Sequence, residues 1–179
     1  MIMSSDELKV TLRDGTPCVL RLCRVEAGPC DKECIKRDID AGVHQLSDRS
    51  RRLRFAGGVS HLTEGQLNYL ANLDNIDRLA WCAFDITDLQ NRGIGLARYM
   101  RLPEAPEVAE FAITIIDQYQ GRGLGSILLD RLMESAKDNG IRTLRGYVLQ
   151  ENDAMLRLAR RAGARSVVED HLLKVELSL

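Results

Sequence analysis

"EFAITIIDQYQGRGLGSILLDRLMESAKDNG", residues 110–140, runs an apolar, strand-like segment into a glycine-rich turn and then into an amphipathic helix. Phe111, Ile113 and Ile115 alternate with Glu110, Ala112 and Thr114, the period of a strand with two different faces. Past the turn, Leu124, Ile127, Leu128, Leu132 and Ala136 share one face of a helix that Asn139-Gly140 ends. Gly121, Gly123 and Gly125 occupy the junction. A strand feeding a helix through such a turn sets unpaired N–H groups and the positive end of a helix dipole beside bare backbone, an arrangement suited to phosphate.

Upstream, "LKVTLRDGTPCVLRLC" alternates on both sides of Asp14-Gly15 and predicts a β-hairpin. Cys30, Cys34, Ile35, Ile39, Val43 and Leu46 recur at helical steps and predict a helix from about Pro29 to Leu46. "LSDRSRRLRF" continues that helix or starts a short second one, and "TEGQLNYLANL" predicts another with Thr63 as N-cap. "RLAWCAFDI", "GIGLARYMRL" and "EVAEFAITII" read as a consecutive antiparallel meander. Downstream, "LRGYVLQ" predicts a strand, "DAMLRLARRAG" a helix closed by Gly163, and "SVVEDHLLKVELSL" a final strand region. This order predicts an α/β (mixed α+β) fold, one mixed sheet with helices on both faces. No linker or repeat divides the 179 residues, so one domain over 1–179 is expected.

Charge is balanced, 25 basic against 26 acidic residues, which gives no reason to expect a nucleic-acid or membrane partner. No apolar run is long enough to span a bilayer and "MIMSSDELKV" turns acidic at once, so a cytoplasmic location is expected. The five cysteines are odd in number and lack paired C-x-x-C spacing; they read as reduced thiols. Cys30 and Cys34 could share a metal ion, but none of His44, His61 and His171 is spaced to join them, and no metal site is expected. Arg49, Arg51, Arg52 and Arg54 either attract an acidic substrate or cofactor phosphates, or form a solvated helix face.

Three phosphate-binding patterns compete for the glycine turn. The Walker pattern fails because no lysine follows a glycine at the required place. The dinucleotide fingerprint is nearly met by Gly121 and Gly123, but Ser126 stands at its third position and "DQYQ" separates strand from glycines. Q-x-x-G-x-G is met by Gln120, Gly123 and Gly125 at the strand-to-helix junction, and this segment resembles the acyl-CoA-binding motif of the GNAT superfamily of N-acetyltransferases. "NGIRTLRGYVLQENDAMLRLARRAGA" resembles that family's next strand and helix, with Asn152 and Gly163 at matching spacing. Within the superfamily, "AEFAITIIDQYQGRGLG", "LQENDAMLRLARRAGA" and "LSDRSRRLRF" are most similar to the bacterial Pat-type protein lysine acetyltransferases.

The resemblance implies a GNAT fold, a mostly antiparallel sheet of about six to seven strands, and acetyl-CoA as cosubstrate without a metal. It implies that Gly121 and the N–H groups of Arg122, Gly123, Leu124, Gly125 and Ser126 cradle the CoA pyrophosphate, with Gln120 shaping the entrance. The strand edge at Ile113, Thr114 and Ile115 would pair with the pantetheine amides, and Asn152 would help hold that arm or the strands beneath it. Glu110 would be the general base that frees the acceptor amine of its proton, with partial desolvation raising its pKa; the residues alone equally allow an exposed glutamate on an edge strand. The tyrosine that many GNAT enzymes use as general acid is replaced by Ala159, and the usual Phe after Gly163 is Ala164; Tyr119 and Tyr147 receive no role. The acceptor implied is a protein lysine, with a small amine or a non-catalytic acyl-CoA-binding module as alternatives, and a homodimer is allowed for. Pat-type members often carry a cyclic-nucleotide-binding or acyl-CoA-synthetase-like domain; this chain has room for neither, so no such built-in regulation is expected.

Overall fold

The computed structural model describes residues 6–24, 32–55 and 59–179. β1 (Glu7–Thr11) and β2 (Pro17–Leu22) pair antiparallel around Asp14-Gly15, where Gly15 takes φ +88° as a tight turn requires. α1 (Lys32–His44) carries Ile35 and Val43 inward; its expected start near Pro29 and Cys30 lies outside the described residues. α2 (Asp48–Phe55) is a separate helix because Ser47 interrupts the run, its Oγ accepting from the Ser50 N–H at 3.2 Å. α3 (Glu64–Leu70) opens on a reciprocal cap: Thr63 Oγ1 accepts from the Gln66 N–H at 3.2 Å, and Gln66 Oε1 from the Thr63 N–H at 2.8 Å.

β3 (Arg78–Asp85), β4 (Gly93–Leu102) and β5 (Ala105–Ile115) form the expected meander, with Ala97 opposite Ile113 and Met100 opposite Glu110. α4 (Leu124–Asp138) then buries Leu124, Leu128, Leu129 and Leu132 against Trp81, Ile94, Tyr99 and Phe111. Each such leucine is worth about 1.5–3 kcal/mol of burial. Trp81 brings a polar N–H into this core and satisfies it on Ser135 Oγ at 3.0 Å. On the other sheet face a smaller cluster of Ile35, Ala71, Leu73 and Ala80 lies under α1 and α3.

β6 (Thr143–Leu149), α5 (Asp153–Arg161), β7 (Arg165–Glu169) and β8 (Leu172–Ser178) complete a sheet ordered β1-β2-β3-β4-β5-β6-β8-β7. Eight strands replace the expected six to seven because the final apolar region is a hairpin, not one strand. Asp170 and His171 both take positive φ, 46° and 72°, making a two-residue turn without the glycine that would have betrayed it.

The β5–β6 contact matters most for function. These strands run parallel but pair only at Val108–Thr143, Ala109–Leu144 and Glu110–Arg145. Beyond that point β5 follows β4 to Ile115 while β6 follows β8 to Leu149, so the sheet parts like a V. No helix among the described residues is long and apolar enough to cross a membrane.

Candidate active site

A cleft of about 590 Å³ opens where the strands part. Residues Glu110 to Ile115 form one wall, Gly146, Tyr147 and Val148 the other, and the glycine loop, α2 and α5 close its ends. Gly146 is needed there: a Cβ at that position would stand 3.0 Å from the Phe111 ring.

The loop is shaped by hydrogen bonds to its flanks. Asp117 accepts from the Ser47 N–H (2.9 Å), Ser47 Oγ (2.6 Å) and Ser50 Oγ (2.9 Å), tying the loop to the start of α2. Burial pushes the Asp117 carboxyl up, but the bonds from Ser47 and Ser50 outweigh it and hold the group below its ordinary value. Gln120 Nε2 donates to the Ile115 carbonyl at 3.0 Å and to Ser50 Oγ at 3.2 Å. Gly121 and Gly123 follow at φ +75° and +94°, left-handed conformations that let the chain double back into α4.

Gly123 caps α4 without a side chain, and the N–H groups of Arg122, Gly123, Leu124 and Gly125 donate to no group among the described residues. The Ser126 N–H is already turned to the Gly123 carbonyl at 3.1 Å, so four of the five expected donors stand free. The side chains point elsewhere: Arg122 pairs with Asp14 at 2.9 Å and stacks on Tyr119, and Leu124 is buried in the core. Gly125 packs closely, since a Cβ there would meet Leu158 at 3.3 Å and Ile115 at 3.4 Å.

Asn152 caps α5, its Oδ1 accepting from the Met155 N–H at 3.1 Å while the residue lines the cleft. Cations that sequence reasoning missed also line it: Arg13, beside Gly123, and Arg157 and Arg161, one helical turn apart on α5. Their spacing on an amphipathic helix was the available signal for the last two; for Arg13 there was none. Of the arginine run on α2, Arg51 pairs with Asp48 and Arg52 with Glu151 at 3.0 Å, and only Arg54 lines the cleft.

Glu110 is the one carboxylate lining the cleft among the described residues. It shares a sheet face with Ala112, Thr114 and, on β4, Arg98, whereas Phe111 turns to the α4 side. The desolvation expected of Glu110 is not found: it stands exposed at the cleft wall. Near it are two guanidinium groups. Arg54 Nε donates to Thr114 Oγ1 at 2.9 Å, and burial, reinforced by the like charge of Arg98, brings its pKa down to about 10 against the opposing pull of Glu110. Burial likewise lowers Arg98. Tyr119 is committed elsewhere, donating to Asp85 at 2.8 Å; burial and that bond push it up to about 12. Tyr147 is exposed on the β6 wall, and Ala159 is buried with nothing to donate.

Four free N–H groups on a helix N-terminus, glycines, four cations and an unpaired strand edge fit a ligand with a pyrophosphate at one end and an amide-bearing arm.

A family model described as an acetyltransferase (GNAT) domain matches residues 35–165. The acetyltransferase Pat of Mycolicibacterium smegmatis is 36% identical over 136 residues, covering 76% of this chain; the chain spans 40% of that protein's length. An acetyltransferase of Pseudomonas aeruginosa is 29% identical over 153 residues, 86% of this chain and 77% of that protein. Among solved structures, the GNAT domain of S. lividans PAT superposes with a TM-score of 0.85 at 26% identity, covering 100% of both chains.

Proposed function

The chain belongs to the GNAT family of acetyl-CoA-dependent N-acetyltransferases, and from that premise we propose that its acceptor is a lysine side chain of a protein and that Glu110 is the general base. The observation that carries the base assignment is the position of Glu110: the sole lining carboxylate among the described residues, at the vertex where β5 and β6 part. The lysine acceptor is supported by the likeness to Pat-type proteins.

Acetyl-CoA supplies a thioester carbonyl open to attack by a neutral amine. The free N–H groups from Arg122 to Gly125 hold the pyrophosphate, with Gly121 and Ser126 shaping the cradle, Gln120 at its entrance, and Arg13, Arg157 and Arg161 adding charge for the phosphates. The edge at Ile113, Thr114 and Ile115 pairs with the amide arm, and Asn152 holds the far side. A lysine ammonium, with a pKa of about 10.4, must lose a proton before it can attack. Glu110 takes that proton directly or through water, which its exposure admits. The positive field of Arg54 and Arg98 favours the neutral amine.

The test is CoA release with a panel of lysine proteins and small amines. Glu110→Gln is expected to lower kcat by about 10²–10⁴-fold with acetyl-CoA affinity kept. Undiminished turnover removes Glu110 as base, and turnover confined to small amines removes the protein acceptor.

A further inference from the structure

A second cavity, about 620 Å³, lies between the sheet and helices α1 and α3. It meets the cofactor cleft at Arg54, Phe55 and Thr114, which line both. Its middle is apolar, with Ile35, Ile39, Leu73 and Leu96, and its far end holds Asp38, the thiols of Cys23 and Cys82, and Arg21 and Arg24, whose charges are paired with Glu7 and Asp6. The near end holds Arg54 and Arg98.

Those two guanidiniums are largely unspent. Arg98, 6% exposed, makes one long hydrogen bond, to the Leu70 carbonyl at 3.4 Å, and stacks over Tyr69. Arg54 spends one donor on Thr114 and stacks over Phe55. Neither has a carboxylate within ion-pair distance among the described residues; Glu110 acts on both only at longer range. A guanidinium offers five donors in a planar fork matched to a carboxylate, and a buried, unpaired one is costly to keep. The cavity's own carboxylate, Asp38, sits at the thiol end, where its charge acts on Cys82. The volume is that of a small-ligand site, too small for a folded partner.

We infer that the arginine end of this cavity holds a carboxylate carried by the amine acceptor, so that amines with an acidic group a few bonds away are preferred. The inference rests on the acetyl-transfer reading above. Arg54 borders both cavities, so an acceptor held there by its acid group has its amine directed towards the cleft that contains Glu110. The carboxylate belongs either to a free amino acid or to an acidic residue beside a lysine in a peptide.

Two matched pairs separate these sources: Nα-acetyl-lysine against its methyl amide, and a lysine peptide with Glu against Gln at the neighbouring position. The acidic member of at least one pair is expected to have a kcat/KM about tenfold higher, a preference that shrinks towards unity in Arg98→Gln and is partly kept in Arg98→Lys. Equal kcat/KM within both pairs, or a preference that survives Arg98→Gln, overturns the inference. Calorimetric titration of the CoA-loaded protein with glutarate needs no turnover. Glutarate binding lost in Arg98→Gln, with no amine acetylated, upholds the anion site and sinks the acetyl-transfer reading; acetylation without glutarate binding sinks the anion site alone.

Discussion

Along the glycine loop, Arg122 to Gly125 present backbone N–H groups while their side chains turn away or are missing. Across the cleft, Arg54 and Glu110 present side-chain charge from α2 and β5, with Arg98 of β4 behind them in the second cavity, and with little help from the backbone. A site made of backbone must be continuous in the chain, because neighbouring N–H groups converge only where consecutive residues share one turn. A site made of side chains has no such constraint. The first kind writes a motif; the second leaves scattered residues that only the register of a sheet brings together.

Beyond the loss set for Glu110→Gln, the largest expected effect falls on the backbone half. Gly123→Asp should weaken acetyl-CoA binding on the order of 100-fold, because it sets a side chain and a negative charge against the cradle. Gly123→Ala carries the same left-handed strain, about 1–2 kcal/mol, without the charge. Calorimetry should therefore place Ala between wild type and Asp; equal losses would mean that strain alone matters and that no anion is held there.

Gly146→Ala comes next. Its Cβ would press on the Phe111 ring at 3.0 Å, and overpacking of this kind costs about 1–3 kcal/mol in urea unfolding. A neutral result would show that the wedge between the strands can yield.

Asp117→Ala removes three hydrogen bonds between the loop and α2 and should cost about 1–2 kcal/mol, with a few-fold rise in the KM for acetyl-CoA. Because the Asp117 carboxyl is held below its ordinary value in the folded protein, its contribution is complete above about pH 4 and is lost as pH falls through the lower folded value. Acid unfolding of Asp117→Ala should thus begin from a lower stability and fall less steeply below about pH 4. Parallel curves for the two proteins would remove the clamp.

The smallest effect is the most pointed. Arg122→Ala should leave acetyl-CoA affinity within about twofold, since the Arg122 side chain is engaged by Asp14 and Tyr119 and only its backbone N–H is left free. A large loss there would break the division between the two halves.

The same division explains what the chain disclosed before folding. Asp14-Gly15 announced the first hairpin and Gln120, Gly123 and Gly125 announced the loop, because each feature is written in adjacent residues. Asp170-His171 hid the last hairpin, since a left-handed turn built from non-glycine residues lacks the usual mark. Glu110 stood out as a carboxylate in an apolar strand, yet the residues could not decide between desolvation and exposure: that depends on how far β6 follows β5. Arg13 reaches the cleft only because the first hairpin turn docks on the loop, the Arg13 N–H donating to the Arg122 carbonyl at 3.0 Å. Nothing in the sequence singles out Arg98. Only the packing of α1, α2 and α3 on that face gave it a cavity to line.

The V between β5 and β6 also bears on supply. From Phe111 to Ile115 the sheet lacks its next strand among the described residues, and under the proposed reading the amide arm of acetyl-CoA would complete it. A ligand bound to the folded state alone stabilises it by about 2.7 kcal/mol at 100 times its Kd, a sizeable fraction of the total for one domain. Resistance of the purified protein to proteolysis should then rise with the concentration of added acetyl-CoA, separately from any change in its turnover.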